Sequence, residues 1–348
     1  MENNKHYIMP YPVIDSKEEE SFSKLLERYE KLTRPNVLAK AGNKVAEVIP
    51  EPVKQAGQNI KEGITEQELY KQCMNVVAKG FHVLEEQAAK TSISEASIVK
   101  KISKKTKNNE ITCIDEICLC RSYILSSLVS SYKTKDVAFA LAEGGATGAF
   151  GFAGLPFNMV LSTFLFYRAV QSVAMFYGYD IKNDPAELLI ASDVFMNALS
   201  PNTSGSDEIS GIVGKVMVMA EVTAVKQGVK KTWAEMASRG GVTLLLAQMR
   251  ALANKAAKKA LEQVGKKGLE ESLFKGVFEQ IGRSLSKKVI GRAVPVAGGI
   301  IGGLFDTALM NTVIEYADVF YNKRYLLEKE VRVNMLIDSS SKDGPTDC

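Results

Sequence analysis

Residues 143–178 read EGGATGAFGFAGLPFNMVLSTFLFYRAVQSVAMFYG. From Gly144 to Tyr167 there are 24 residues without a charge, long enough to cross a bilayer as one helix, for which about 20 apolar residues suffice. Gly144 and Gly148 stand four apart, and Gly151 and Gly154 continue the same small face. That spacing lets two helix backbones approach closely, in a membrane or in a tight soluble pair. Five glycines and Pro156 in this window each cost helix propensity. Pro156 suits the first turn of a new helix, so the segment reads as a break near residues 151–154 followed by an apolar helix. A bent hairpin is expected rather than one straight span. Asn158, Ser162, Ala169 and Ser172 lie on a small, polar seam of that helix, with Arg168 beside them.

Residues 292–306, RAVPVAGGIIGGLFD, repeat the grammar. Gly298 and Gly302, and Gly299 and Gly303, are paired four-residue steps, and Pro295 again marks a helix start. The charge-free run Ala293–Phe305 has only 13 residues, too short to span alone. Asn158 follows Gly154 by four residues, and Asp306 follows Gly302 by four. Beyond Asp306, the residues Asn311, Glu315, Asp318 and Asn322 are expected to form a wet face. The first helix therefore reads as buried and the second as amphipathic.

Around these two segments the chain is helical throughout. Capping-box patterns begin at Ser16, Thr65 and Ser92, with a glutamate three residues on in each case. Phe22, Leu25, Leu26, Tyr29 and Leu32 make an apolar stripe that ends before Pro35. Asp184, Pro185 and Glu187 supply an N-cap, a first-turn proline and a third-position carboxylate. Phe274, Val277, Phe278, Ile281, Leu285 and Val289 recur at helical steps, with Lys275, Arg283 and Lys287 interleaved. No alternating run bounded by hairpin turns is present. The sequence predicts an all-α protein in which two glycine-rich helix entrances pack centrally.

The chain has 348 residues, 46% hydrophobic and 24% charged, a balance that excludes wholesale disorder. Residues 1–15 read as a disordered lead without a secretory h-region, and 16–63 as an N-terminal helical arm. Residues 64–330 read as one helical domain and 331–348 as a flexible tail, with the cytoplasm as the expected compartment. The stretch 100–112 is charged and turn-prone, so it reads as a connection, and the Ser/Pro/Gly run 200–206 separates the first half from a basic lobe at 207–292. Between Lys226 and Arg292 there are 15 basic and five acidic residues, a local +10 that leaves about −6 elsewhere. That asymmetry points to an anionic surface as a partner. Lys255, Lys258, Lys259, Lys266, Lys267, Lys275, Arg283, Lys287 and Lys288 are its candidate contacts.

Sharper chemistry lacks its parts. Cys113, Cys118 and Cys120 have no second pair or histidines to complete a metal site, and read as small buried residues on a helix. His82 reads as a helix-surface histidine, and Asp180 and Asp184 as a loop followed by a cap. The glycine runs lack the lysine of a P-loop and the strand of a dinucleotide fold, so no cofactor is expected. Trp233 is the only tryptophan, and aromatic interleaving in the basic lobe is too sparse for a nucleic-acid platform.

Several stretches together resemble the EcsC family. They are residues 143–151 with Gly154-Leu-Pro156, Tyr177-Gly-Tyr-Asp180, residues 294–303, Arg34-Pro35, residues 48–53, and Tyr321 with Arg324-Tyr-Leu326. The resemblance implies a helical, mostly bacterial protein without established catalytic residues, and its name implies an ABC transporter as neighbour. In the family pattern an Asp follows the first glycine entrance and an Asn the second. Here Asn158 and Asp306 hold those places in reverse, which predicts that the two groups share one hydrogen-bonded site.

The function expected is therefore a non-enzymatic cytoplasmic accessory protein, peripheral at the inner membrane. Basic amphipathic helices and the apolar hairpin 144–167 or the stripe 274–289 would contact anionic lipids. Two alternatives accompany it. One is a membrane-permeabilising effector. The other is a lipid- or envelope-acting enzyme, for which Asn158, Arg168 and Asp306 are the candidate groups.

Overall fold

A computed structural model describes residues 7–33, 66–89, 94–106, 111–132, 155–199, 262, 265, 267–279 and 307–342. These residues form α1 (Ser16–Thr33), α2 (Glu66–Ala89), α3 (Glu95–Thr106), a 3-10 turn (Asp115–Leu119) and α4 (122–132). They continue as α5 (Leu155–Phe176), α6 (Pro185–Leu199), α7 (267–279) and α8 (Thr307–Lys342). Among the described residues there is no strand, so the chain is all-α.

The apolar sequence from Leu155 to Phe176 becomes the central post. From Val160 to Tyr179 every residue is buried except Arg168, as expected for a helix that is hydrophobic all round. α5 packs against α2, α6 and α8. Its rings interlock with those of α2 and α7: Phe164 lies edge-on to Phe274 at 4.7 Å and to Phe81 at 5.4 Å. Among the described residues no helix is long and apolar enough to cross a membrane. The apolar stretch is satisfied by protein instead.

Helix starts follow cap chemistry, shifted from the sequence pattern. The box at α1 is Asp15 with Glu18, one residue before the expected pair. Asp15 Oδ1 accepts from the Glu18 amide (2.8 Å), and Glu18 Oε2 accepts from the Asp15 amide (3.1 Å). At α3 the cap is Ser94, whose Oγ accepts from the Ser97 amide (3.2 Å). At α6 the expected Asp184 cap accepts from the Ala186 amide (2.9 Å), ahead of a proline in the first turn. Asp180 closes the preceding loop through the amides of Lys182 and Asn183.

Four other expectations are corrected. Residues 100–106 continue α3 rather than forming a connection, because Ile102 joins Ile98 on one buried stripe and Thr106 bonds back to the Ile102 carbonyl. Residues 7–15 are docked: Tyr7 donates to Glu116 (2.6 Å), and Arg121 donates to the carbonyls of Pro12 and Val13. Residues 331–342 extend α8, with Arg332, Val333 and Leu336 buried. At 36 residues α8 is about 54 Å long. The cysteines 113–120 lie on a loop and 3-10 turn rather than an α-helix; all three are buried, and burial pushes the Cys120 thiol up to about 12.

Candidate functional site

Where α5 ends, the chain must reverse into α6. Gly178 makes that turn with φ of +75°, a backbone region that L side chains rarely adopt. Space is as decisive as the dihedral: a Cβ on Gly178 would sit 2.5 Å from Arg332 Nη2 and 3.0 Å from the Ile114 carbonyl oxygen. Arg332, from α8, donates to the carbonyls of Tyr177 (2.9 Å) and Gly178 (2.6 Å), which the reversal leaves without helical partners.

Each tyrosine of the Tyr177–Tyr179 turn then engages a charge. The Tyr179 ring lies between two guanidinium groups, 4.1 Å from Arg324 and 4.5 Å from Arg332. Arg324 is fully buried, held bidentately by Glu187 (2.7 and 2.9 Å) and through Nε by Glu328 (2.8 Å). Burial works against its charge, and the two carboxylates more than compensate, so its pKa lies well above the ordinary value. Tyr177 donates to Asp318 Oδ1 (2.7 Å), while Ser126 (3.0 Å) and Arg28 (3.1 Å) donate to Asp318 Oδ2. Burial raises the Asp318 carboxyl all the same, with Arg28, Tyr177 and Ser126 pulling the other way. Tyr325 points its hydroxyl at the carbonyls of Cys120 (2.6 Å), Ile117 (3.0 Å) and Cys118 (3.1 Å).

Toward α1 the network continues through Glu18. Lys329, with no exposed side-chain surface, donates to both of its oxygens, and Arg121 and the Ser122 amide add further donors. Burial lowers the Lys329 pKa, partly offset by Glu18. The expected wet face of α8 is therefore covered. Asp318 and Asn322 are buried, Glu315 is partly so, and only Asn311 is exposed. α1 packs over this helix and brings Arg28 to Asp318 and Glu315.

Arg168 sits apart from this centre, on the α5 side facing α7. Its Nη1 meets Gln171 Oε1 (2.9 Å) and lies 2.9 Å from Glu270 Oε1, and its guanidinium stands over the Phe164 ring at 5.3 Å. The pair Arg168–Glu270 ties α7 to the post. Lys267 and Lys275 are exposed on α7, Lys267 beside Glu85 (3.0 Å). The remaining expected site residues lie outside the described residues: glycines 144, 148, 151, 154, 298, 299, 302 and 303, Asp306, and the basic positions 255, 258, 259, 266, 283, 287 and 288. So does the Asn158 side chain, and with it the expected pairing of Asn158 with Asp306.

Of the two expected insertion elements, the side chains of 144–159 and residues 280–289 lie outside the described residues. Phe274, Val277 and Phe278 of the α7 stripe are core residues, and so are residues 160–167 of the hairpin. No group of three or more possible metal ligands occurs among the described residues. At the centre, Arg324, Glu187, Glu18, Lys329 and Asp318 are each buried and each meet an opposite charge, which makes the junction rigid.

Sequence reasoning missed Glu18, Glu187, Lys329 and Arg332. Glu187 gave a usable signal, since it is the one acid in the first turn of a mostly apolar helix, but the same position also serves a cap.

The architecture defines an all-helical protein built on a buried tyrosine–arginine junction, formed by the Tyr177–Asp180 turn and the Tyr321–Tyr325 stretch of α8. The chain belongs to the EcsC protein family, which it matches over residues 15–326. No curated protein and no solved structure matches it.

Proposed function

We propose that this chain is a non-enzymatic accessory protein that binds the anionic cytoplasmic surface of the inner membrane peripherally and reversibly. The observation that carries the reading is α3, where Ile98 and Ile102 are buried while Lys100, Lys104 and Lys105 are exposed. A helix anchored by one apolar stripe presents its lysines as a fixed basic ridge. Lys275 on α7 adds charge in the same manner, and the +10 balance of residues 226–292 adds more.

Magnitudes set the character of the attachment. Each lysine near an anionic leaflet contributes about 1 kcal/mol, so the α3 ridge alone gives about 3 kcal/mol, weaker than millimolar binding. Stable anchoring takes a second, apolar signal. The apolar residues of α7 and of 160–167 are engaged in the core, so binding is expected to be weak and salt-sensitive.

Flotation of the full chain with phosphatidylcholine vesicles, with and without phosphatidylglycerol, tests this at low and high salt. Flotation only with anionic vesicles at low salt is expected, reduced in K100E/K104E/K105E. Salt-resistant flotation would favour the inserting, permeabilising reading. Absence of flotation removes lipid as the partner.

A further inference from the structure

The Glu18 carboxylate occupies a site whose other walls come from the body of the protein. Glu18 Oε1 accepts from the Ser122 amide (2.8 Å) in the first turn of α4 and from Lys329 Nζ (2.8 Å). Glu18 Oε2 accepts from Lys329 Nζ (3.1 Å), Arg121 Nη1 (3.0 Å) and its own helix's Asp15 amide (3.1 Å). An ammonium, a guanidinium and a helix-start amide form a donor set suited to phosphate as well as carboxylate. One donor is left over. The Ser122 hydroxyl is fully buried and has no hydrogen-bond partner. A carboxylate with two oxygens leaves that hydroxyl unmet, whereas a phosphate brings further acceptor oxygens.

The hold of α1 on the body is of a kind that an anion can replace. Among its described side chains only Leu25 and Leu32 are buried apolar groups, while Phe22 and Tyr29 are half-buried. The rest is charge matching: Glu18 with Lys329 and Arg121, and Arg28 with Asp318 and Glu315. Desolvation offsets much of the attraction in a fully buried ion pair, so the Glu18 pair gives α1 its register more than its affinity.

We propose that Lys329, Arg121 and the Ser122 amide and hydroxyl form an anion site for a phosphate group, with Glu18 as its built-in, displaceable occupant. α1 undocks as the phosphate enters. The phosphate comes from a lipid headgroup or from free phosphate. The headgroup source rests on the peripheral-membrane reading given above; the site itself does not.

The test compares the full-length chain with E18Q, E18Q/K329M and E18Q/S122A. It reads inorganic phosphate binding by calorimetry, phosphatidylglycerol vesicle binding by flotation, and α1 amide exchange. E18Q is expected to speed α1 exchange and to tighten phosphate binding about tenfold or more, the change expected from losing one competing charge-assisted bond. K329M should cancel that gain, and S122A should reduce it. In the unmodified chain, phosphate should speed α1 exchange relative to chloride at matched ionic strength, a readout that does not depend on a variant folding. Tighter phosphate binding without flotation of any variant keeps the site and removes the membrane reading. Unchanged phosphate binding in E18Q, a gain that survives K329M, or α1 exchange indifferent to phosphate overturns the proposal.

Discussion

Arg324 and Glu187 meet across α8 and α6 as a bidentate pair, at 2.7 and 2.9 Å, with neither side chain more than 1% exposed. They are 137 residues apart in sequence, and Glu328 completes the guanidinium's partners through Nε. Removing one member strands a buried charge, which costs about 3–5 kcal/mol. E187Q and R324M are each expected to lose that much in urea unfolding. The double variant E187Q/R324M should lose less than the two together, because the second substitution removes a charge that the first had left without its partner. Additive losses would show that the two side chains are not coupled.

Tyr321 and Tyr325 lie one turn apart on α8, yet their hydroxyls have opposite standing. The Tyr321 hydroxyl is buried with no partner, while that of Tyr325 faces three carbonyls. An unmet buried hydroxyl costs about 1–3 kcal/mol. Y321F is therefore expected to match or exceed the parent in thermal unfolding, and Y325F to be destabilised by about 1–3 kcal/mol. Equal losses in the two variants would contradict this assignment.

Asp318 sets a pH dependence of definite sign. Burial raises its carboxyl above the ordinary 3.8, so over that interval the folded protein holds a proton that the unfolded chain has released. The stabilisation is full below 3.8 and declines as pH rises through the raised value. D318N removes the titration, so its melting temperature should follow pH less steeply than the parent's across that interval. Parallel profiles in a pH series of thermal melts would show that Asp318 is not the group responsible.

The fold class was legible because α5 carries its own evidence: an uninterrupted apolar run with a proline at its start. The Tyr177–Asp180 and Tyr321–Leu326 stretches stood out as resemblances, and the structure brings them together around Tyr179 and Arg324. What sequence could not supply was the pairing. Glu187 satisfies a local capping pattern whether or not it reaches Arg324. Asp318 and Asn322 sit at the spacing of a solvated face, and only the arrival of α1 makes that face interior. Cap positions slid by one or two residues because Asp15 and Ser16, or Ser92 and Ser94, offer equivalent chemistry.

The Glu18–Lys329 pair closes a span of 311 residues. At synthesis rates of about 5–20 residues per second, Glu18 leaves the ribosome roughly 15–60 seconds before its partner exists. During that interval α1 has no ammonium to meet and Glu187 has no guanidinium. α1, α5 and α6 all pack on α8, so until it emerges each of them lacks part of its burial. A nascent chain stalled before α8 emerges would thus present itself to chaperones and proteases as unfinished, however much of its helix content had already formed.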